Sequence, residues 1–515
     1  MHSNTSTPRP HPAHPATRGA GFQTCCIAGV PPARAGILSL AVSLAFGILF
    51  FGISQPATPR AAAAAVTLTI DTARPAQEIL GFGASGAWWS PEVGGLPEAQ
   101  RREILRLLYD KKTGIGLTIY RHNLGAGTLN DKTIQPGLRR VDSVVDPKTG
   151  RIDWSRDANA RRVMREAVAA GAEQVILFVN SPPVTMTVNG HGRCTKNPEG
   201  KPPASNLAPE RYDDFAAYLG EVTEHFLRVE KLPIVAVSPI NEPGHPWDKD
   251  KQEGCFYTPD QAAAVFKKVL AEFKRRDLPV RVEPTESESW KAALAYYEAI
   301  ARDPELRAAL TDYCVHSYAS NPDSKQKLRA WLGKNCPGAR LHMSEWCEMK
   351  LKGDGRDINN GALPMARTMI EDFATGGART WQYWRAASRT GSHDGLVYYD
   401  AATGAVTTTK LYSVLGQFSR YMTKGTVVLA SQSTDKQAPA MAARLPDGRV
   451  AVVCVNLSDA QKTLSIQFPK NETWRPRLRA LTDAKNNGTE TAIAAAADAV
   501  TLPAKSVVTI IFQKG

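Results

Sequence analysis

Two glutamates in this sequence each end a short strand-like segment, which is a position from which a carboxylate can do chemistry. Glu242 follows the apolar segment Ile234–Ile240, and Glu345 follows Leu341–Ser344. Two carboxylates on either side of a sugar can hydrolyse a glycosidic bond, because one protonates the leaving oxygen and the other attacks the anomeric carbon. A single glutamate at a strand end is more often a salt-bridge partner, so the hypothesis requires a fold that brings both together.

Residues 79 to 422 alternate short apolar segments with amphipathic segments, which indicates a strand followed by a helix eight times over. The candidate strands are Ile79–Gly83, Gly116–His122, Gln174–Asn180, Ile234–Asn241, Val280–Glu283, Tyr313–Ser317, Arg340–Glu345 and Thr380–Trp384. The candidate helices are Pro97–Lys111, Arg156–Ala170, Pro209–Val229, Pro259–Arg275, Ser289–Ala301, Ser324–Lys334, Gly361–Thr375 and Lys410–Tyr421. A helix after every strand requires a parallel sheet, and eight such units predict an α/β fold, a closed (β/α)8 TIM barrel.

The barrel gives the two glutamates a common location. Active sites of these barrels lie at the carboxyl-terminal ends of the strands. Glu242 would end the fourth strand and Glu345 the seventh, so their side chains are expected to converge from nearly opposite sides of the barrel.

The pattern changes after the barrel, where β-forming segments are separated by turns. These segments are Ala440–Leu445, Arg449–Asn456, Thr463–Phe468 and Ser506–Phe512. They predict a β-sandwich over residues 423–515 beside a barrel over residues 79–422. A further strand-like segment at residues 66–78 precedes the barrel and is expected to join the sandwich.

Residues 1–65 have the composition of a targeting segment. They contain no acidic residue, and the 18-residue stretch Ile37–Ser54 has no charge and is followed by Ala61–Ala65. This arrangement predicts a signal peptide, with an uncleaved N-terminal membrane anchor as the alternative. We therefore expect a secreted or periplasmic protein that meets a membrane only through this segment, if the segment is retained.

The charge and the glycine pattern of the chain exclude two other functions. The formal charge of +13 falls to +9 without residues 1–60, and no basic run interleaved with aromatic residues suggests nucleic-acid binding. Gly81–Gly86 has the dinucleotide-binding spacing G-x-G-x-x-G, but two tryptophans and a proline follow it where a helix should begin. We interpret this segment as a tight loop at the end of the first strand, where Trp88 or Trp89 lines a ligand cleft. We expect a monomer without a cofactor.

Six cysteines remain after the leader, and none forms a C-x-x-C pair. In an oxidising compartment one or two disulfides are expected, and Cys194 with Cys255 is the preferred pair because both lie in long loops on one face. Free, buried thiols are the alternative. His191 and His245 fall in the same loops, but the spacing matches no zinc site, so no metal is expected.

Several short motifs resemble one enzyme family more closely than the fold alone would imply. The segments are Ser238–Pro243, Met343–Trp346, Gly81–Ser85, Ser181–Pro183, His316–Tyr318 and Leu415–Ser419. Together they resemble glycoside hydrolase family 30, within the large clan of retaining (β/α)8 glycosidases. The resemblance covers residues 66 to 515 and implies a catalytic barrel with a side β-sandwich built from both chain ends.

The resemblance implies roles for the residues around the two glutamates. Glu242 would be the general acid/base and Glu345 the nucleophile of a double displacement. Asn241 would bind the 2-hydroxyl of the sugar, and Arg121 would keep Glu345 ionised.

Further residues at strand ends would contact or orient the substrate. His316 and Tyr318 would orient the nucleophile or the sugar, Trp384 would offer a ring face for stacking, and Asn180 would be an additional contact. The loop after the third strand departs from the commonest family pattern, because Val184–Thr187 stands where an aromatic residue is expected.

The substrate indicated by the resemblance is a polysaccharide or oligosaccharide. The opening at residues 83–90 and the segment Glu253–Cys255 look most like endo-β-1,6-galactanases. The alternatives are a β-1,6-glucanase, a glucuronoxylanase, an exo-β-glycosidase of the glucosylceramidase type, or a non-catalytic carbohydrate-binding barrel. Binding alone does not require two opposed carboxylates, so the pair of glutamates favours an enzyme.

Overall fold

The computed structural model describes residues 64–137, 139–196, 204–249, 251–493 and 499–515. The predicted signal peptide or anchor at residues 1–65 lies outside the described residues except for its last two positions. Across the described ranges, no helix combines the length and the apolar character needed to cross a membrane.

Eight parallel strands form the barrel predicted from the sequence. They are Gly81–Ser85, Ile119–Asn123, Gln174–Phe178, Ile234–Ser238, Arg281–Val282 with Glu286–Ser287, Asp312–His316, Arg340–Trp346 and Thr380–Arg385. Each pairs with its sequence neighbour, and the eighth pairs with the first. The fifth strand is interrupted: Arg281–Val282 pairs with the fourth strand, and Glu286–Ser287 pairs with the sixth. The two halves together close the barrel, which confirms the predicted (β/α)8 fold.

Helices surround the barrel, and several of them begin at a side-chain cap. The helices are Ser90–Val93, Glu98–Tyr109, Ala158–Ala170, Tyr212–Glu224, Pro259–Arg275, Trp290–Ala301, Pro304–Ala309, Pro322–Asn335, Ala362–Glu371 and Lys410–Ser419. Thr258 and Gln261 form a capping box at the start of Pro259–Arg275, which satisfies backbone N–H groups that the helix itself cannot pair. Two of the helices end in a π-helical turn, at His225–Val229 and at Asp372–Gly376.

The glycine-rich segment at the start of the barrel is the first strand itself, so its interpretation as a loop at the end of that strand is wrong. A Cβ atom on Gly83 would lie 2.6 Å from Ile119, and one on Gly86 would lie 2.2 Å from the Tyr120 hydroxyl. Glycine is required here because the second strand packs directly against the backbone of the first. The dinucleotide-like spacing thus reflects strand packing.

The second domain is a nine-stranded sheet that includes the N-terminal strand. Its strands are Ala64–Ile79, Thr426–Ser433, Ala440–Arg444, Val450–Asn456, Lys462–Gln467, Trp474–Thr482, Asn487–Ala492, Val500–Leu502 and Ser506–Lys514. Ala64–Ile79 pairs antiparallel with Thr426–Ser433 and parallel with Lys462–Gln467. The predicted contribution of the N-terminal strand to the sandwich is therefore confirmed.

The sheet buries both faces of its central strands. In Val450–Asn456, Val452 and Cys454 belong to the sandwich core, whereas Ala451, Val453 and Val455 belong to the core shared with the barrel. This alternation follows from the two-residue period of a strand. The two domains therefore share a continuous apolar core.

A cluster of buried charges lies at the amino-terminal end of the barrel strands. Asp312 accepts hydrogen bonds from His342 Nε2 at 2.7 Å and from Arg340 at 2.8 Å, and Arg281 Nε lies 3.3 Å away. Burial alone would raise the pKa of Asp312, but these partners lower it below its usual range. The carboxylate is thus held ionised far from the carboxyl-terminal ends of the strands. We call Asp312 and its three partners the lower cluster.

Candidate active site

The carboxyl-terminal ends of the barrel strands bring the two predicted catalytic glutamates together. One carboxylate oxygen of Glu242, one of Glu345 and a ring nitrogen of His316 all lie within 4.8 Å of one another. His316 Nδ1 is 2.9 Å from Glu242 Oε1 and 3.7 Å from Glu345 Oε1. The fourth, sixth and seventh strands therefore meet at a single point of the cleft.

Glu345 is held by hydrogen bonds to both of its oxygens. Arg121 Nη1 donates to Oε2 at 2.7 Å, and the Tyr318 hydroxyl donates to Oε1 at 3.0 Å. Arg121 also donates from Nη2 to Asn241 Oδ1 at 3.1 Å. Burial raises the pKa of Glu345, while the positive charges of His316 and Arg121 act against this rise. Arg121 thus acts to lower the pKa of Glu345, as expected, but the net shift of that pKa is upward because the carboxylate is so deeply buried.

The backbone of Glu242 has an unusual conformation. Its φ of 43° lies in the left-handed region, which costs free energy in any residue other than glycine. Three hydrogen bonds maintain it: the N–H of Glu242 donates to the Glu286 carbonyl at 2.7 Å, and its carbonyl accepts from the His245 N–H and from Trp247 Nε1, both at 3.1 Å. The strained backbone fixes the direction in which the Glu242 side chain leaves the strand.

The aromatic residues predicted for substrate contact lie beside this pair. Trp88 and Trp384 meet edge to face with ring centroids 5.1 Å apart. Arg139 and Arg385 lie over the Trp88 ring at 4.8 and 5.8 Å from its centroid. Both tryptophans are largely buried, so they form a wall of the cleft and offer only a small part of their surface to a sugar.

Asn180 contacts the end of the neighbouring second strand. Its Nδ2 donates to Asn123 Oδ1 at 3.3 Å, which joins the ends of the second and third strands. Phe178, in the same third strand, packs its ring centroid 3.5 Å from the Arg121 guanidinium carbon. The sequence analysis did not identify Phe178, whose position inside an apolar strand gave no signal of this contact.

Sequence reasoning also missed Glu286, which is completely buried beneath the site. Its Oε2 lies 3.0 Å from Arg121 Nη2 and 3.5 Å from His316 Nε2. Burial alone would raise the pKa of Glu286, but the charge of Arg121 and then of His316 lowers it to about 2. The available signal was the acidic spacing of Glu283, Glu286 and Glu288 just before the helix cap Ser289.

Burial also affects His316, but its carboxylate neighbours reverse the effect. Removal from water alone would lower its pKa, whereas Glu345, Glu242 and Glu286 raise it to about 10. The protonated imidazole is thus favoured, and it can donate a hydrogen bond from either ring nitrogen to the carboxylates around it.

The predicted disulfide between Cys194 and Cys255 is not formed, because the structure holds both as buried, free thiols. The two do lie in adjacent loops: the N–H of Phe256 donates to Cys194 Sγ at 3.3 Å, and a contact between the two thiols raises the pKa of Cys194. The buried Glu253, in the same loop as Cys255, joins that loop to the one after the second strand by accepting from Thr128 Oγ1 at 2.8 Å and from the Ala126 N–H at 3.1 Å.

Two family models match the chain. One, described as O-glycosyl hydrolase family 30, matches residues 65–301, and the other, the glycosyl hydrolase family 30 beta sandwich domain, matches residues 425–510. An endo-β-1,6-galactanase from Hypocrea rufa is 25% identical over 439 residues, which are 80% of this chain and 85% of that protein.

Solved structures share the fold. A conserved exported protein from Bacteroides fragilis superposes with a TM-score of 0.75 at 21% identity, covering 86% of this chain and 100% of that one. The catalytic domain of xylanase C from Talaromyces cellulolyticus superposes with a TM-score of 0.68 at 20% identity, covering 87% of this chain and 100% of that one.

Proposed function

The chain belongs to glycoside hydrolase family 30 and is an O-glycosyl hydrolase, and from this premise we propose that it cleaves β-glycosidic bonds with retention of configuration. The observation that carries this proposal is that a carboxylate oxygen of Glu242 and one of Glu345 lie within 4.8 Å of each other. Retaining enzymes hold their carboxyl groups about 5 Å apart, whereas inverting enzymes need about 6.5–9.5 Å to admit a water between them.

In the first half-reaction, Glu345 attacks the anomeric carbon while Glu242 protonates the leaving oxygen. The glycosidic bond breaks, a bond from Glu345 to the sugar forms, and the proton of Glu242 leaves with the departing sugar. In the second half-reaction Glu242, now ionised, removes a proton from water, which releases the sugar from Glu345. Arg121 and Tyr318 hold Glu345 in position for attack through the hydrogen bonds to its two oxygens.

The substrate we propose is a β-1,6-linked galactan cut within the chain. The support is the likeness to the Hypocrea rufa galactanase and the motifs at residues 83–90 and at Glu253–Cys255. Glu253 ties the loop after the fourth strand to the loop after the second, which fixes these two loops relative to each other. We further propose that the enzyme acts outside the cytoplasm, in keeping with the composition of residues 1–65.

A variant of the nucleophile tests the mechanism most directly. We expect Glu345→Gln to reduce kcat by about 10⁴-fold or more while the variant still binds oligosaccharide. The control is Glu298→Gln, which changes an exposed glutamate on the outer helix Trp290–Ala301 and should leave kcat unchanged. Near-normal turnover by Glu345→Gln would show that the nucleophile lies elsewhere.

Product analysis tests configuration and specificity. The wild-type enzyme is offered β-1,6-galactan, β-1,6-glucan and glucuronoxylan, and proton NMR follows the first product. We expect oligosaccharides from the galactan and the β anomer before mutarotation. The α anomer appearing first would overturn the retaining mechanism, and activity confined to another polymer would overturn the galactanase assignment alone.

A further inference from the structure

Glu286 is a third carboxylate beneath the catalytic pair, and the mechanism described above gives it no task. Its Oε2 is shared between the two cationic side chains of the site, at 3.0 Å from Arg121 and 3.5 Å from His316. Arg121 in turn contacts Glu345, and His316 contacts Glu242. Glu286 therefore acts on both catalytic glutamates, through one intermediary for each.

The main chain of Glu286 also supports the site. Its N–H donates to the Ile240 carbonyl at 2.9 Å, and its carbonyl accepts from the Glu242 N–H at 2.7 Å. Asn241, at the end of the fourth strand, and Glu286, in the second half of the interrupted fifth strand, thus form an isolated parallel β-bridge. A single residue thus fixes both the strained backbone of Glu242 and the side chains that face Glu345.

The charges around Glu286 can be counted strand by strand. The titratable and charged groups that face the cluster are Arg121 on the second strand, Glu242 and then His245 after the fourth, Glu283, Glu286 and Glu288 on and beside the fifth, Cys314, His316 and Tyr318 at the sixth, and Glu345 on the seventh. Burial raises the pKa of Glu283 and of the Cys314 thiol, which favours the neutral form of both. Burial raises the pKa of Glu288 and so favours its neutral form. Three carboxyl groups, Glu242, Glu286 and Glu345, therefore share the positive charges of Arg121 and protonated His316.

The double displacement moves one negative charge within this cluster without changing the total. Before the attack Glu345 is ionised and Glu242 carries a proton; in the glycosyl-enzyme Glu345 is esterified and Glu242 is ionised. The pair carries one negative charge in both states. An ionised Glu286 supplies a second negative charge, so the positive charges of Arg121 and His316 are balanced before and after the attack.

We propose that Glu286 is the permanent counter-ion of this active site. Its carboxylate fixes Arg121 and His316 in place and keeps the imidazole of His316 protonated. The Nδ1–H of His316 then stabilises the negative charge first on Glu345 and afterwards on Glu242. The two distances from Nδ1, 3.7 Å to Glu345 and 2.9 Å to Glu242, place the ring between the start and the end of that charge movement. Glu286 is a positioning residue, because it touches neither the sugar nor the reacting atoms. The inference rests on the proposed retaining mechanism.

Histidine NMR of the wild-type protein without substrate tests the charge assignment. The ring nitrogens are labelled with ¹⁵N, and the signal of His316 is assigned from its disappearance in His316→Gln. We expect both ring nitrogens of His316 to remain protonated from pH 5 to pH 8. A neutral ring at pH 7 would overturn the inference. Because the measurement requires no turnover, it stands even if the glycosidase assignment fails.

The variant Glu286→Gln removes the charge and keeps the shape of the side chain. We expect the basic limb of the pH profile of kcat/KM to move down by about one pH unit or more, because the protons of the cluster are then lost more easily. The His316 signal should titrate at lower pH in the same variant. Glu286→Asp, which restores the charge, should return the basic limb most of the way to its wild-type position.

The matched control is Glu283→Gln, which alters a buried carboxyl three positions earlier on the same interrupted strand. Glu283 lies beside Arg281, and burial together with the charge of Glu286 raises its pKa, which favours the neutral form that Gln mimics. The pH profile of Glu283→Gln should therefore match the wild type. A folded Glu286→Gln enzyme with an unshifted profile would overturn the inference. If that variant does not fold, the wild-type NMR titration and the Glu286→Asp profile decide.

Discussion

The barrel holds a cluster of charged residues at each end of its strands. The two clusters differ in whether cationic groups or carboxyl groups are the more numerous. In the lower cluster, Asp312 is surrounded by two arginines and an imidazole N–H, and a second buried carboxyl group, Glu283, lies 3.8 Å from one of these arginines. At the active site, three carboxyl groups surround Arg121 and His316. The sixth strand contributes to both, with Asp312 at its start and His316 at its end.

This difference separates a structural cluster from a catalytic one. Where cationic and N–H groups outnumber the carboxyl groups, as around Asp312, the carboxylate is held ionised and has no reason to exchange a proton. Where carboxyl groups outnumber cations, one of them must keep a proton to reach neutrality, and that proton is available for transfer. Buried charge by itself is therefore a poor marker of an active site, whereas an excess of carboxyl groups is a good one.

Removing the transferable proton should have the larger effect. We expect Glu242→Gln to reduce kcat for a sugar leaving group by up to about 10⁴-fold, since the leaving oxygen is no longer protonated. An aryl glycoside whose phenol departs unaided should still form the glycosyl-enzyme, which mass spectrometry of the intact protein would detect. An equal loss on both substrates would contradict the assignment of Glu242 as the acid.

Breaking the lower cluster should affect stability instead of catalysis. Asp312→Asn removes the buried anion that faces two partly exposed arginines and a buried imidazole, so we expect the free energy of unfolding to fall by about 2–3 kcal/mol. Denaturant unfolding at pH 7 measures this change. The anomer of the first product and the pH profile of the folded variant should match the wild type, and a displaced pH profile would show that the two clusters are coupled.

Acid titration should reveal a smaller difference in stability between the wild type and Asp312→Asn. The pKa of Asp312 is lowered in the folded state, so its stabilising effect is present above its unfolded-state pKa of about 4 and is lost as the pH falls below that value. Between pH 5 and pH 2 we therefore expect the wild type to lose about 2 kcal/mol more unfolding free energy than Asp312→Asn. Parallel stability curves would contradict the low pKa.

The sequence predicted the barrel because alternation of strands and helices leaves few other folds, and motif spacing then placed Glu242 and Glu345 at strand ends. The strand Trp474–Thr482 was not predicted, because its alternation of arginine with Pro476 resembles a loop. The loop after the eighth strand carries a three-stranded sheet, Ala387–Arg389 with Val397–Tyr399 and Val406–Thr408, whose segments are too short to give a periodic signal.

Glu286 was missed for a physical reason. The apolar pattern of the fifth strand ends at Val282, and Pro284 interrupts the pairing before the strand resumes. The predicted strand therefore ended at Glu283, three residues too early to place Glu286 in the site. Its importance lies in contacts with three other strands, which a local pattern does not contain.

The pairing of Ala64–Ile79 with Thr426–Ser433 and Lys462–Gln467 also has a consequence for biosynthesis. The strand Ala64–Ile79 leaves the ribosome roughly 350 residues before its partners, a delay of about 20–70 s at ordinary elongation rates. During that interval its backbone groups have no partner in the sheet, while the barrel between them can already fold. The sandwich can only be completed last, so a truncation before Thr426 should leave Ala64–Ile79 unpaired and prone to aggregation.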